Sequence, residues 1–319
     1  MSQTFKPAWW LRSPHLQTIW PVFMRHRPTL PLVVEAVTLS DGDSIQLQRY
    51  GRPNSPYILV IHGLEGSLES HYAKPTLKAL YEAGFSPIFM QLRGSAGIPN
   101  HKPYSYHSGR TQDVAEVLDY LAATQRTVVG LVGFSLGGNL TLKYMGEVGV
   151  NTTIRAAVAI SIPFQLAACA QRLEQGFSKL YGRHLLNDLK NSYRRKFHNR
   201  PKPLAVNLEQ ITTLYQFDDQ VTAPLNGFKD AADYYAKSSS AAFLKAIHYP
   251  TLIIHAKDDP FMTPAIVPTA SEISAAVTLA ISEHGGHVGF VQGQWPWQAH
   301  YWLDQRISQW LSQQLHPIT

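Results

Sequence analysis

The chain has 319 residues, 45% of them hydrophobic, with 28 basic against 22 acidic side chains and a net charge of +6. That length and apolar content allow a sizeable core, in one large α/β domain or two smaller ones. The single cysteine, Cys169, excludes an intrachain disulfide and a cysteine-based metal site, and it suits a reducing compartment.

The N-terminal residues include Lys6 and Arg12 but no apolar run long enough for a secretory signal. Nowhere do about 18 apolar residues run uninterrupted, so no transmembrane helix is expected and the expected location is the cytoplasm. The opening segment FKPAWWLRSPHLQTIWPVF is rich in aromatics and proline and shows no clear period. VEAVTLSDGDSIQLQRYG alternates around Asp41-Gly42, a hairpin signal. A strand–helix rhythm follows: a strand at Tyr57–His62, a helix near Tyr72–Ala83, a strand at Pro87–Leu92 and a helix near Arg110–Ala123. Thr127–Phe134 reads as a buried strand, Leu136–Met145 as the helix after it, and Ile154–Ser161 as the next strand. Thr251–Ala256 and Val277–Ser282 are two more strands, and Trp297–Leu315 reads as a terminal amphipathic helix. This order implies a mostly parallel sheet with helices on both faces.

Between Pro163 and Tyr249 the rhythm stops. The segment shows helical patterns and no strong strand signal, after a strand whose carboxyl end would face a ligand. Residues 1–319 are therefore expected to form one domain, with 163–249 as a helical lid inserted into it. From Arg183 to Leu204 seven cations stand against one acid, Asp188, and account for the whole net charge. Such a run is either a solvated helix face or a weak contact with an anionic membrane surface through the lid. Nucleic acid binding would need a broader basic footprint and a recognisable module, and neither is present. The oligomeric state is not legible.

The chemistry centres on Gly133-Phe-Ser135-Leu-Gly137, which falls between a buried strand and a helix. Only glycines beside the serine let the chain reverse so sharply, so the pattern reads as a nucleophile elbow. A serine hydroxyl needs a base, and the base an orienting carboxylate, each just past a later strand. The strand at Thr251–Ala256 runs into KDDP, and the strand at Val277–Ser282 into EHGGHVGF. Asp259 is favoured over Asp258 because Pro260 biases it to an extended backbone, and Asp258 reads as a loop capper. His287 is favoured over His284 because Gly285-Gly286 can make the tight turn that presents its ring. His284 and His287 lack the nearby carboxylates of a metal site, so no metal is expected. For the oxyanion, the natural donors are the N–H of Leu136 and, in the IHGLEG loop, that of Leu64. His62 reads as a buried histidine that anchors this loop.

Taken together, HGLEG, GFSLGGN, KDDPF and GGHVGF resemble the α/β-hydrolase fold. SPHLQTIWP and QLRGSAG narrow the resemblance to the YheT-type esterase branch, over about Pro14 to Phe290. That branch also includes eukaryotic lipases, acetylesterases and medium-chain alcohol acyltransferases. The resemblance implies a Ser135–His287–Asp259 triad that needs no cofactor. It lacks the His-x-x-x-x-Asp pattern of some acyltransferases, since Gln292 stands in the place of the Asp. The expected activity is a serine carboxylesterase on small-molecule esters with a short or medium acyl chain. The alternatives are an alcohol acyltransferase or lipid-directed lipase on the same triad, or a non-catalytic binding protein that kept the fold.

Overall fold

The computed structural model describes residues 4–52 and 54–315. Runs of β-branched and aliphatic residues form the central strands: β3 (Tyr57–Ile61), β4 (Ser86–Gln91), β5 (Val128–Phe134), β6 (Ala156–Ile160), β7 (Thr251–Ala256) and β8 (Val277–Ser282). Burial on both faces leaves no alternation in β4, β6 and β7, as expected of a covered parallel sheet. A hairpin of β1 (Val33–Thr38) and β2 (Ser44–Arg49) turns at Asp41-Gly42 and adds an antiparallel edge. The sheet runs β1-β2-β4-β3-β5-β6-β7-β8, parallel from β4 to β8.

Helices α2 (Ala73–Glu82), α3 (Thr111–Ala123) and α4 (Leu136–Val148) follow β3, β4 and β5 respectively. Two apolar clusters form the core. One contains Leu59, Ile61, Met90, Leu131, Leu140 and Ile253. The other contains Ile58, Phe89, Val132, Phe134 and Ile254, together with Leu303, Ile307 and Leu311 of the C-terminal helix.

Two stretches depart from the sequence expectation. The proline-rich opening segment contains α1 (Pro14–Met24), with Pro14 in its first turn, where a missing N–H costs nothing, and Pro21 inside it. At the other end, α10 (Trp302–Leu315) starts later than Trp297. The residues before it form a 3₁₀ turn at Pro296–Gln298 and a short strand, His300–Tyr301, which pairs with Val291–Gln292.

Between β6 and β7 lie α5 (Leu166–Arg172), α6 (Ser178–Lys196), α7 (Leu214–Phe217), a π-helical turn (Asp218–Thr222), α8 (Ala223–Leu225) and α9 (Ala231–Ser238). They bury two small clusters of their own, one around Leu186, Tyr193, Ile211 and Phe217, the other around Ala223, Ala231, Tyr234 and Tyr235. Lys196, at the end of α6, is buried. Its ammonium donates to Asn100 Oδ1 at 2.6 Å, the Tyr104 carbonyl at 2.7 Å and Ser105 Oγ at 2.9 Å, which ties α6 to the loop after β4.

Candidate active site

Ser135 stands between β5 and α4 with φ 52° and ψ −116°, a conformation that L-residues rarely adopt. The close approach of strand and helix explains the flanking glycines. A Cβ on Gly133 would collide with the Gly137 carbonyl, and one on Gly137 with the Ile61 carbonyl. The Ser135 N–H donates to the Ile160 carbonyl at 2.8 Å and pins the turn to β6.

His287 Nε2 lies 3.1 Å from Ser135 Oγ, and His287 Nδ1 lies 2.8 Å from Asp259 Oδ2. A carboxylate only accepts, so Nδ1 carries the proton and Nε2 is free to accept from the serine hydroxyl. Asp259 is buried, and its Oδ1 accepts the Phe261 N–H at 2.8 Å. The neighbouring pair does something else. Asp258 accepts the Gly286 N–H at 3.0 Å and meets His284 Nδ1 at 3.2 Å, and His284 faces solvent. Burial raises the Asp258 carboxyl above its usual value.

Three contacts around His287 have no counterpart in the sequence reading. The Phe261 ring stacks on the imidazole at 4.0 Å, nearly parallel. Thr18 Oγ1 accepts the His287 backbone N–H at 2.9 Å. Gln17, fully buried beside it, donates to the Leu11 and Val291 carbonyls and accepts the Val291 N–H at 2.7 Å. Thus α1 holds both ends of the histidine loop. The only signal for this in the sequence was the stretch SPHLQTIWP, which pointed to no role for either residue. Val288 and Phe290 follow at φ 57° and 47°, so the loop carries backbone strain beside the imidazole.

The loop after β3 is set by His62. Its Nε2 accepts the Leu92 N–H at 3.0 Å, so Nδ1 holds the proton and donates to the Gly63 carbonyl at 2.7 Å. Burial pushes this imidazole down to about 4, so it stays neutral. The Gly63 N–H donates to Tyr72 Oη at 3.0 Å and the Glu65 N–H to Tyr106 Oη at 2.7 Å. Leu64 lies between them, and neither its N–H nor that of Leu136 has an acceptor among the described residues.

Ser135, His287, Leu64 and Leu136 line one cavity of about 410 Å³. Its apolar wall includes Leu166, Leu173, Leu214, Phe261 and Met262, so most of that wall comes from the segment between β6 and β7. Cys169 lines it as well, with its thiol pushed well above the usual range by burial. Asp218, on the π-helical turn, borders the cavity; its Oδ2 accepts from Tyr235 Oη at 2.8 Å, and burial raises its carboxyl to about 6. No group of three or more metal-ligating side chains occurs among the described residues.

A family model described as alpha/beta hydrolase fold matches residues 56–294. The chain belongs to the α/β-hydrolase fold family. This α/β-hydrolase is 38% identical over 319 residues to the Escherichia coli (strain K12) protein named "Putative esterase YheT", covering 98% of this chain and 94% of that one. It is 27% identical to the Bos taurus protein named "Phospholipase ABHD3", covering 98% and 79%. Among solved structures, the Pyrococcus furiosus esterase Pf2001 superposes with a TM-score of 0.59 at 15% identity, over 91% of this chain and 98% of that one. That likeness extends the agreement in fold. No helix among the described residues is long and apolar enough to cross a membrane.

Proposed function

We propose that this α/β-hydrolase is a serine carboxylesterase acting on short- or medium-chain esters. The observation that carries the reading is the unbroken hydrogen-bond chain from Ser135 Oγ through His287 to Asp259. Ser135 Oγ attacks the ester carbonyl carbon as its proton passes to His287 Nε2. The Leu64 and Leu136 N–H groups hold the oxyanion. The imidazolium then protonates the leaving alcohol, and an acyl-enzyme remains. Water, deprotonated by the same nitrogen, releases the acid and restores the serine. No cofactor enters this sequence. The segment 163–249 acts as the lid that shapes the acyl site, and the buried single thiol fits a reducing, cytoplasmic setting.

A fluorophosphonate tests the reading. It should label the chain once, at Ser135, and Ser135→Ala should abolish both labelling and hydrolysis of p-nitrophenyl esters. An adduct on another residue, or wild-type turnover by the Ala variant, overturns it. The acyl-chain-length series on the wild type defines the preferred ester, and product analysis with added alcohol separates hydrolysis from acyl transfer.

A further inference from the structure

The cavity opens where its lining residues are exposed: Val22, Arg27, Glu69 and His184. Two helices flank this mouth. α1 turns Gln17, Thr18 and Pro21 inward and leaves Leu16, Phe23 and Met24 bare, with Phe23 78% exposed. At the start of α6, Phe177 and Leu180 are each 51% exposed. His15 joins the two helices, with its ring 4.3 Å from Phe177 and its Nδ1 3.1 Å from Tyr181 Oη.

Cations accompany these apolar side chains. Arg12, Lys179 and Arg183 are exposed, and none forms an ion pair among the described residues; Arg27, also exposed, donates to the Val22 carbonyl at 2.9 Å. Of the acids that line the mouth, Glu69 is paired with Lys74 at 2.6 Å, and the part-exposed Asp188 lies 3.4 Å from His184 Nε2. Further along α6 the basic residues are occupied by the protein itself: Arg194 pairs with Glu209, Arg195 donates to Ser192, and Lys196 is buried.

Bare apolar side chains beside unpaired cations complement an anionic bilayer, in which phosphates meet the cations and the rings enter the headgroup–acyl boundary. We propose that the face made by α1 and the start of α6 docks on an anionic lipid bilayer and sets the mouth of the Ser135 cavity against it. Esters held in the bilayer then reach the serine without crossing water. This consequence rests on the esterase reading, whereas docking itself needs no turnover.

Ser135→Ala protein and vesicles of phosphatidylcholine with about one-third phosphatidylglycerol separate the two. The protein should co-sediment with these vesicles and be released by salt. Phe23→Glu with Leu180→Glu, and separately Lys179→Gln with Arg183→Gln, should each lower partitioning about tenfold or more. In the otherwise wild-type enzyme the same changes should leave hydrolysis of soluble p-nitrophenyl butyrate within about twofold. No vesicle binding, or undiminished binding by both double variants, overturns the proposal. So does loss of binding only with Arg194→Gln and Arg195→Gln, or a dimer in solution that Phe23→Glu splits, which would make the face a subunit contact. Vesicle binding by a protein that cleaves no ester would uphold docking and sink the esterase reading.

Discussion

At Asp258 and Asp259 two adjacent carboxylates take different work because the chain turns between them. Asp259 points inward to His287 Nδ1, and Asp258 holds the Gly286 N–H and the exposed His284. Asp259→Asn should therefore lower kcat about 10⁴-fold, because an amide there favours the wrong imidazole tautomer. Asp258→Asn should cost less than about tenfold, since it loses only loop contacts. Steady-state kinetics on a soluble ester decides it, and equal losses or the reverse order would overturn the assignment. In the sequence it is Pro260 and the double glycine that point to Asp259 and His287. Phe261 was not legible as a partner of His287, because stacking depends on where two distant loops meet.

Among the elements, the strands were legible because β-branched and aliphatic runs bounded by glycine admit little else. Helix α1 was not: two prolines and scattered aromatics hide its period, and its buried side is held by polar groups, Gln17 and Thr18. Through that polar side α1 would position His287 in the proposed reaction. Thr18→Val keeps the shape and removes the acceptor of the His287 N–H, at a cost of about 1–3 kcal/mol for an unmet buried donor. Part of that strain should appear as imidazole misplacement, lowering kcat about tenfold with little change in KM. Thr18→Ser should restore the rate. A Thr18→Val enzyme with wild-type kcat would show that α1 only covers the loop.

Across the whole molecule, several histidines are buried neutral. Burial holds His62 and His255 at about 4 and His107 at about 3. On unfolding, each returns to an ordinary value near 6.5 and takes up a proton at any pH between the two. Their contribution to stability is therefore full above about pH 6.5 and falls as the pH drops toward 4, by about 1.4 kcal/mol per pH unit for each histidine. Thermal unfolding followed from about pH 8 to pH 4.5 should show a net fall in Tm below about pH 6.5, with one histidine's share offset by Asp218, whose carboxyl burial raises to about 6 and which therefore favours folding as the pH drops below that value. A Tm that stays level to about pH 5 would contradict neutral burial. The lone thiol has a different consequence. Cys169 is buried and held far from its thiolate form, so maleimides and other soft electrophiles should pass it by. A cysteine placed at position 23 or 180 would then be the one reactive handle in the chain, and a solvent-sensitive fluorophore there would report directly how deep that face goes into a bilayer.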